Sequence, residues 1–548
     1  MEKRGFYRSA GVVSAAVLSS RVTGLIREMV MARLFGAGAV YDAFLLAARI
    51  PNLTRNLFAE GALSSAFVPV FTDYLARKGR REAADLSNRV ATAQILAAGA
   101  LCVAGIALSP ALVRLLAPGF ARVPGKFELA VVLTRIMLPF LALVTIAAQA
   151  MGVLNACDRY GVPAMASTFF NLGSVAVGLA LGFTVGGGTE HGLIVSMACG
   201  ILAGGLFQLL WQLPSVWRAG FAYRPRFDFA DPGLRRIVAL MIPAVIGSVA
   251  LQINVTVNLN LASNLSDASG RALDGPVSWL GYAFRFMQFP LGVFGVAIAT
   301  VTLPAISRSA SAARMEEFRA TLSRSLGMVL LLTVPSSVGL AVLGRSIVGA
   351  LFEWGRFGSH DTEQTALALA CYSVGLAGYA ASKVLSPAFY ALDDARTPML
   401  ISVASVAVNF TAAYSLVRWT TLGYAGLALS TSTVALFGAV ALAAALRGRT
   451  RGIGGGALAR SGIRIAIASI PMAAACYASS RAIHALAGAG KSAQLLDLAV
   501  SIPLGAAIFY AAARALRVSE VEALRTACYT SIRNAPRPEV GDPPARNR

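Results

Sequence analysis

The sequence has few charged residues, few histidines and no paired cysteines, and each shortage excludes a class of protein. Of its 548 residues, 14% are charged and 56% are hydrophobic, and the mean hydropathy is +0.66. This balance excludes a soluble globular protein of this size. The three histidines are isolated in polar turns and predict no metal site. The six cysteines are scattered without a CxxC pair, which favours small packing residues over a disulfide framework.

Motifs for catalysis are missing as well. The segment from Gly36 to Asp42 only faintly resembles a dinucleotide-binding loop, because no strand precedes it. The glycines between Gly452 and Gly456 are typical of a flexible linker, and no other nucleotide-binding motif is present. A membrane glycosyltransferase would need a general base or metal-binding carboxylates, and the sequence offers no such cluster. We therefore expect neither an enzyme nor a nucleotide cofactor.

Long apolar segments are abundant instead. Stretches of about twenty residues recur along the whole chain, each long enough to cross a hydrocarbon core of roughly 30 Å. They predict an all-α polytopic membrane protein with about fourteen transmembrane helices. The N-terminus resembles a signal peptide but lacks a clean cleavage site, so we expect it to be the first span. The predicted spans are 10–35, 41–70, 88–117, 127–155, 160–185, 190–213, 236–263, 276–306, 321–352, 364–391, 397–418, 423–446, 459–486 and 493–516.

The basic residues predict how these spans are oriented. A net charge of +22 would suggest a nucleic-acid partner in a soluble protein, but here the Lys and Arg residues concentrate in alternate connections. RKGRR, WRAGFAYRPRF, SRSASAARMEEFR and RGRTRG are basic, whereas VGGGTEHG, NLSDASGRALDG and EWGRFGSHDTEQ are not. The positive-inside rule then places both termini in the cytoplasm. We expect a multi-pass protein of a bacterial cytoplasmic (inner) membrane and no nucleic-acid partner.

An internal repeat predicts two related lobes. Pro69 and Pro304 end corresponding spans, and Pro163 and Pro398 follow corresponding spans at the same offset. Two six-helix halves of like topology suggest a transporter that rocks around a site at their interface. The predicted domains are an N-lobe at 1–217, a C-lobe at 218–447, two appended helices at 448–518 and a disordered cytoplasmic tail at 519–548.

Charged residues interrupt the first two spans. Centring one such charge in a bilayer costs about 2.5–3.5 kcal/mol, so these side chains usually face a bundle interior or a water-filled cavity. Arginine suits phosphate because its planar guanidinium stays charged and gives paired donors. The segment therefore predicts an anionic cargo held within the membrane. The charges are Arg21, Arg27, Asp42, Arg49, Arg55 and Glu60.

Four segments carry a resemblance to a known family. SRVTGLIREMVMARLFGAGAVYDAF and PNLTRNLFAEGALSSAFVPVF, followed by WLGYAFRFMQFPLGVFGVAIATVTLPAIS and KVLSPAFYALDDARTPM, closely resemble the MurJ/MviN family of lipid II flippases in the MOP exporter superfamily. The resemblance covers essentially the whole chain. It implies transport of the undecaprenyl-pyrophosphate-linked peptidoglycan precursor from the inner to the outer leaflet by alternating access, in peptidoglycan and cell-wall biogenesis. It also implies that the last two spans form a groove for the lipid tail.

The resemblance also implies site residues. The essential cavity arginines of the family match Arg21, Arg27, Arg55 and Arg285. Of these, Arg27, Arg55 and Arg285 are the expected pyrophosphate clamp. The important acidic positions of the family match Asp42 and Glu60, which are expected to serve in gating and charge balance. From their positions on the first span, Glu28, which shares a helical face with Arg21, and Ser20, which shares one with Arg27, are added to this group.

The sequence departs from the family in its acidic residues. Phe284 and Gln288 stand where many relatives carry acids near the arginine of the eighth span, so the clamp has fewer counter-charges. Some members of the family bind sodium between the seventh, eleventh and twelfth spans. This chain has no acid in those spans, and only polar residues could serve there. They are Asn254, Asn258, Asn409 and Thr431.

Other readings of the sequence remain open. An exporter of another polyprenyl-linked saccharide, or a drug or cation antiporter of the same superfamily, would share the architecture. Drug exporters favour acidic and aromatic pockets and usually have twelve spans, which differs from this pattern. The expected partners are lipid II and the membrane, and the cell-wall synthesis machinery is a further candidate partner. We expect the chain to be a monomer. We expect the membrane potential to drive transport, with no cofactor other than a speculative sodium ion.

Overall fold

The computed structural model of this chain describes residues 3–55, 62–266, 269–312, 314–488 and 490–522. Helices account for nearly all of these ranges, and no strand occurs within them beyond an isolated bridge between Ser266 and Ala272. The all-α membrane fold predicted from the sequence is confirmed. The predicted tail at 519–548 is described only as far as residue 522, where Val521 is buried.

Twenty α-helices follow one another in the described part of the chain. The first ten are α1 (Lys3–Phe35), α2 (Ala39–Arg55), α3 (Ala62–Arg77), α4 (Gly79–Ala107), α5 (Ser109–Leu116), α6 (Lys126–Met137), α7 (Phe140–Ala156), α8 (Gly161–Thr184), α9 (Glu190–Arg218) and α10 (Pro232–Ser263). The others are α11 (Pro276–Pro290), α12 (Val296–Ser311), α13 (Met315–Val342), α14 (Gly344–Phe352), α15 (Ser359–Ser373), α16 (Leu376–Tyr390), α17 (Arg396–Trp419), α18 (Tyr424–Thr450), α19 (Gly455–Ala487) and α20 (Lys491–Ala515).

Many of these helices can cross a membrane. Within the described ranges, 10 spans are long and apolar enough, or 11 if the bent pair α15 and α16 counts as one. The remaining predicted spans correspond to α1, to α2 with α3, and to α10. The multi-pass architecture is therefore established for this chain, while the count of about fourteen stays a prediction.

The helix boundaries recur between the two predicted halves. Helix α8 begins two residues before Pro163, and α17 begins two residues before Pro398. The turn before each helix places an aspartate in the left-handed region, Asp158 at φ 58° and Asp393 at φ 56°. Equivalent sequence positions thus adopt the same unusual backbone conformation, as expected when two segments share one local fold.

The described residues divide into two compact units. Unit 1 comprises Met1–Met287, Gly344–Gly375 and Arg396–Gly438, and unit 2 comprises Gln288–Leu343, Leu376–Ala395 and Ala439–Arg548, so far as each is described. Unit 1 has an aromatic core around Phe67, Phe71 and Phe221. Unit 2 has an aliphatic core in which α13, α19 and α20 meet. The predicted lobe boundaries at 217 and 447 remain a prediction.

Small residues bring α8 and α9 of unit 1 into close contact. A Cβ atom added to Gly204 would lie 2.6 Å from the Phe170 carbonyl oxygen and 2.9 Å from its ring. Glycine lets two helix backbones approach in this way, as is common between membrane helices. Because the Phe170 ring reaches Arg27 on α1, this packing also positions part of the site described below.

We expect Gly204→Ala to destabilise unit 1. The added methyl group has no room, and overpacking of this kind costs typically 1–3 kcal/mol. The thermal unfolding midpoint of the purified protein in detergent should fall. The matched control is Gly99→Ala, because a Cβ at Gly99 on α4 meets nothing within 4 Å. An equal midpoint for the two variants would contradict this packing.

Candidate functional site

The centre of the site is a carboxylate shared by two arginines. Glu28 on α1 is 4% exposed, and its Oε1 lies 3.0 Å from Nη2 of Arg27 and 3.0 Å from Nη2 of Arg285 on α11. Its other oxygen, Oε2, accepts a hydrogen bond of 3.1 Å from the Tyr41 hydroxyl on α2. An isolated charge buried in this way would be very costly, whereas one with these partners is tolerated.

The two arginines differ in how a ligand could reach them. The side chain of Arg27 is 16% exposed and lies over the Phe170 ring, with 5.4 Å between the guanidinium carbon and the ring centroid. The side chain of Arg285 is 44% exposed although its carboxylate partner is buried. An anion can therefore approach the exposed side of the Arg285 side chain, while Glu28 binds Arg285 on its buried side.

Contacts from α8 fix the position of α1 beside this cluster. Nδ2 of Asn171 donates to the Ser20 carbonyl oxygen at 3.1 Å and lies 3.3 Å from Oγ1 of Thr23. A Cβ atom added to Gly24 would lie 3.4 Å from Nδ2 of Asn171. Ser20 thus contributes its backbone oxygen to helix packing, while Arg21 next to it is exposed.

A layer of aromatic rings separates the charged cluster from one end of unit 1. Tyr41 and Tyr282 are stacked with 5.0 Å between ring centroids, and both are almost fully buried. The Tyr282 hydroxyl donates to the Gly36 carbonyl oxygen at 3.2 Å, and Phe352 and Phe357 pack against its ring. Rings packed this closely exclude water from that side of Glu28.

Beyond this layer, Asp42 joins three helices. Its carboxylate accepts from Nζ of Lys126 on α6 at 2.9 Å, and the same amine donates to Asp274 at 2.7 Å. Asp42 also accepts from the amides of Gly275 at 3.0 Å and Ser278 at 2.8 Å. It therefore caps the N-terminus of α11 from another helix, where a negative charge is favourable. In this structure the partner of Asp42 is a lysine rather than a cavity arginine.

Two loops, one from each predicted half of the chain, close the same end, and each has a glycine at its contact point. A Cβ at Gly119 would overlap the carbonyl of Ser263, the last residue of α10. A Cβ at Gly355 would overlap the carbonyl of Arg33 in the last turn of α1. The backbone amide of Arg356 donates to the same carbonyl oxygen at 3.1 Å. The loop of each sequence repeat thus rests on the end of the first helix of the other repeat.

The candidate sodium residues form one polar cluster. Nδ2 of Asn409 donates to Oδ1 of Asn258 at 3.0 Å, and Nδ2 of Asn258 donates to Oγ1 of Thr431 at 2.8 Å. Asn254 donates to Ser405 at 3.0 Å. The structure therefore brings together the four polar residues that the sequence selected from α10, α17 and α18.

Two of the predicted site residues lack a structural description. Glu60 lies outside the described residues, and the side chain of Arg55 is likewise not described. Sequence reasoning missed Lys126, Tyr41 and Tyr282. The lysine could have been noticed as a charge at the start of an apolar span, but nothing in the sequence pairs it with a carboxylate far away along the chain.

Relatives of known name match most of the sequence. The family model of the lipid II flippase MurJ matches residues 31–495. A probable lipid II flippase MurJ of Vibrio cholerae is 37% identical, covering 78% of this chain and 80% of its own. The lipid II flippase MurJ of Burkholderia cenocepacia is 34% identical, with coverage of 81% and 84%. A probable lipid II flippase MurJ of Rhizobium meliloti is 36% identical, with coverage of 91% and 92%.

Solved structures show the same fold. A lipid II flippase MurJ in an inward closed conformation superimposes with a TM-score of 0.74 at 24% identity, covering 92% of this chain and 99% of the other. An inward-facing multidrug resistance transporter of the MATE family in the MOP superfamily gives a TM-score of 0.59 at 16% identity, covering 80% and 94%. These two likenesses concern the fold alone. The family model and the sequence relatives confirm the expected family: this chain belongs to the lipid II flippase MurJ family.

Proposed function

We propose that this chain flips lipid II from the inner to the outer leaflet of a bacterial inner membrane. Membership of the lipid II flippase MurJ family supports this function. The main structural support is the Arg27–Glu28–Arg285 cluster, which places two guanidinium groups inside a membrane-crossing bundle. A transporter of an anionic lipid needs such charges, and it needs no catalytic group.

The arginines of this cluster hold the pyrophosphate in this proposal. Arg27 and Arg285 both point at one oxygen of Glu28, so their guanidinium groups already converge on a single negative centre. A pyrophosphate offers more acceptor oxygens than one carboxylate and can bind arginine through paired hydrogen bonds. It would thus compete with Glu28 for the open side of Arg285. Arg21 and Arg55 complete the set implied by the family.

The closed end of unit 1 is the outer gate in this proposal. The connections at this end include those before α2, α11 and α15, which are poor in Lys and Arg, and this supports an outward orientation with both termini in the cytoplasm. Asp42, Lys126 and the stacked tyrosines would separate when the gate opens. Asp42 then has a gating role through Lys126 and α11.

The membrane potential is the proposed driving force. Each charge that crosses the full field gains about 2.3 kcal/mol per 100 mV, so a headgroup with roughly two charges gains about 5 kcal/mol, less the charges that move with it. A bias of this size can shift a two-state equilibrium strongly. Transport as a monomer, alone or with cell-wall synthesis proteins, is part of the same proposal.

The polar cluster does not fit sodium in its present arrangement. Oδ1 of Asn258, Oδ1 of Asn409 and Oγ1 of Thr431 each already accept a protein hydrogen bond. Among the atoms of this cluster, Oδ1 of Asn254 is buried without a partner in the described part of the chain. A hard cation needs several free oxygens, and α10, α17 and α18 carry no carboxylate. We therefore include no sodium step in the transport cycle.

We expect Arg285→Ala to lower lipid II flipping by about tenfold or more, because a hydrogen bond to a charged group contributes about 1.5–3 kcal/mol. Arg285→Lys should restore part of the activity, since it keeps the charge but not the paired donors. The measurement is the share of lipid II in the outer leaflet after depletion of the native protein and expression of each variant. Arg345→Ala is the control, because Arg345 forms an exposed pair with Glu363. Wild-type exposure of lipid II in Arg285→Ala cells would refute the clamp.

Lys126→Met should open the proposed gate. Without the amine, the buried Asp42 faces Asp274 without a counter-charge, and breaking a buried pair in this way costs about 3–5 kcal/mol. Hydrogen–deuterium exchange of the peptide that contains Gly275 and Ser278 should become faster in the purified protein. Lys126→Arg should retain slow exchange, as should Lys78→Met at an exposed lysine. Unchanged exchange in Lys126→Met would show that the salt bridge does not hold this end closed.

Replacing sodium by choline on both sides of the membrane should leave flipping unchanged, whereas collapsing the potential should reduce it. The reason is that the cluster described above has no carboxylate and that three of its side-chain oxygens already accept protein hydrogen bonds. Proteoliposomes with an imposed potassium diffusion potential separate the two effects. The control is Asn409→Ala, which should change stability without creating a dependence on sodium. A sodium requirement in the wild-type protein would overturn this part of the proposal.

A further inference from the structure

A cleft with two opposite charges lies in unit 2. It has a volume of about 290 Å³ and opens between α13, the first turn of α19 and the residues that follow α20. Arg324 and Glu520 supply its charges, and Met328 and Leu458 supply apolar surface. The Arg27–Glu28–Arg285 cluster belongs to unit 1, so this cleft is a separate feature.

The two charges of the cleft have no ionic partners in the described part of the chain. Neither Arg324 nor Glu520 forms a salt bridge there, although both line the same cleft. Glu520 is held by neutral donors instead, the hydroxyls of Ser461 and of Ser519, the latter at 3.0 Å. A cation that enters the cleft would therefore meet an available carboxylate, and an anion would meet an available guanidinium.

The backbone makes room for this carboxylate. Gly327 is buried on α13, and a Cβ atom there would overlap Oε1 of Glu520. Any other residue at this position would push the carboxylate away from the helix. Glu520 is thus held against the helix junction, half-buried, rather than extended into solvent.

The position of the cleft along the helices matches the headgroup region of a bilayer. Helix α13 has 28 residues, which makes it roughly 42 Å long, more than the roughly 30 Å of a hydrocarbon core. The charged residues of α13 all lie in its N-terminal turns, at Glu316, Glu317, Arg319 and Arg324, so these turns extend beyond the acyl chains, and the cleft lies in this half of the helix. Further exposed arginines lie on α19 and near the end of α20, the segments that also contribute to the cleft or lead into it, and such side chains commonly reach lipid phosphates. They are Arg460, Arg464, Arg514 and Arg517.

We infer that the cleft binds a zwitterionic aminophospholipid as a resident lipid. The primary ammonium donates to Glu520, the phosphate accepts from Arg324, and the first part of the acyl chains contacts Met328 and Leu458. An anionic lipid lacks a partner for the carboxylate, which would repel it. A choline lipid carries a positive charge but no N–H donor, so it makes the phosphate contact and loses the charge-assisted hydrogen bond to Glu520. This inference goes beyond the proposed flipping activity and does not depend on it.

The test compares lipids with identical acyl chains and different headgroups. The purified full-length protein is delipidated in detergent and titrated with phosphatidylethanolamine, phosphatidylcholine or phosphatidylglycerol, and the bound lipid is counted by native mass spectrometry. The wild-type protein should bind phosphatidylethanolamine about tenfold more tightly than phosphatidylcholine, as expected for one charge-assisted hydrogen bond. Glu520→Gln should remove this preference, because the amide keeps the serine hydrogen bonds but loses the charge. Arg324→Gln should weaken binding of both lipids.

The controls are on the same helix. Glu317→Gln and Arg314→Gln remove the members of an exposed ion pair at the start of α13, outside the cleft, and should keep the wild-type preference. Arg324 is exposed, so its substitution tests the site even if Glu520→Gln folds poorly. Equal affinity for phosphatidylethanolamine and phosphatidylcholine in the wild type, a preference that persists in Glu520→Gln, or tighter binding of phosphatidylglycerol would each overturn the inference.

Discussion

The burial of Glu28 between two arginines is the interaction on which the site depends. In a low-dielectric interior a lone carboxylate or guanidinium is very unfavourable, so each member of this cluster requires the others. Because Glu28 and Arg27 lie on α1, Tyr41 on α2 and Arg285 on α11, charge pairing also fixes how these helices pack. Two guanidinium groups share one carboxylate, so the cluster keeps a net positive charge, and the half-exposed side chain of Arg285 leaves one side of it accessible to an anion.

A single helix connects the charged cluster with the closed end of unit 1. Ser278 and Arg285 are both on α11, about two turns apart. The first is held by Asp42 and the second by Glu28. Since an α-helix moves as a nearly rigid element, release of the Asp42 contact would change the position of Arg285 as well. On α2, the adjacent residues Tyr41 and Asp42 contact Glu28 and the start of α11, respectively. The gate and the clamp are therefore coupled directly through α2 and α11.

The fold alone does not account for these properties. A MATE family transporter shares the architecture at 16% identity, so the architecture is compatible with quite different cargo and function has to be argued from the site. In this chain the specific features are the charges within α1 and α11 and the mixed-charge cleft of unit 2. The charges within α1 and α11 lie in a membrane-crossing bundle, where apolar side chains would be cheaper.

The sequence by itself determined the helical membrane fold and the family, because hydropathy and sequence motifs are local features that need no partner. It also predicted an anionic cargo from the intramembrane arginines. It also selected Asn254, Asn258, Asn409 and Thr431, which do meet. Only the tertiary structure decided which charges pair. Asp42 meets Lys126, and Glu28 meets Arg285, across sequence separations that periodicity cannot bridge. Salt bridges between distant helices depend on packing angles and on close glycine contacts, and these follow from the whole bundle rather than from any one segment.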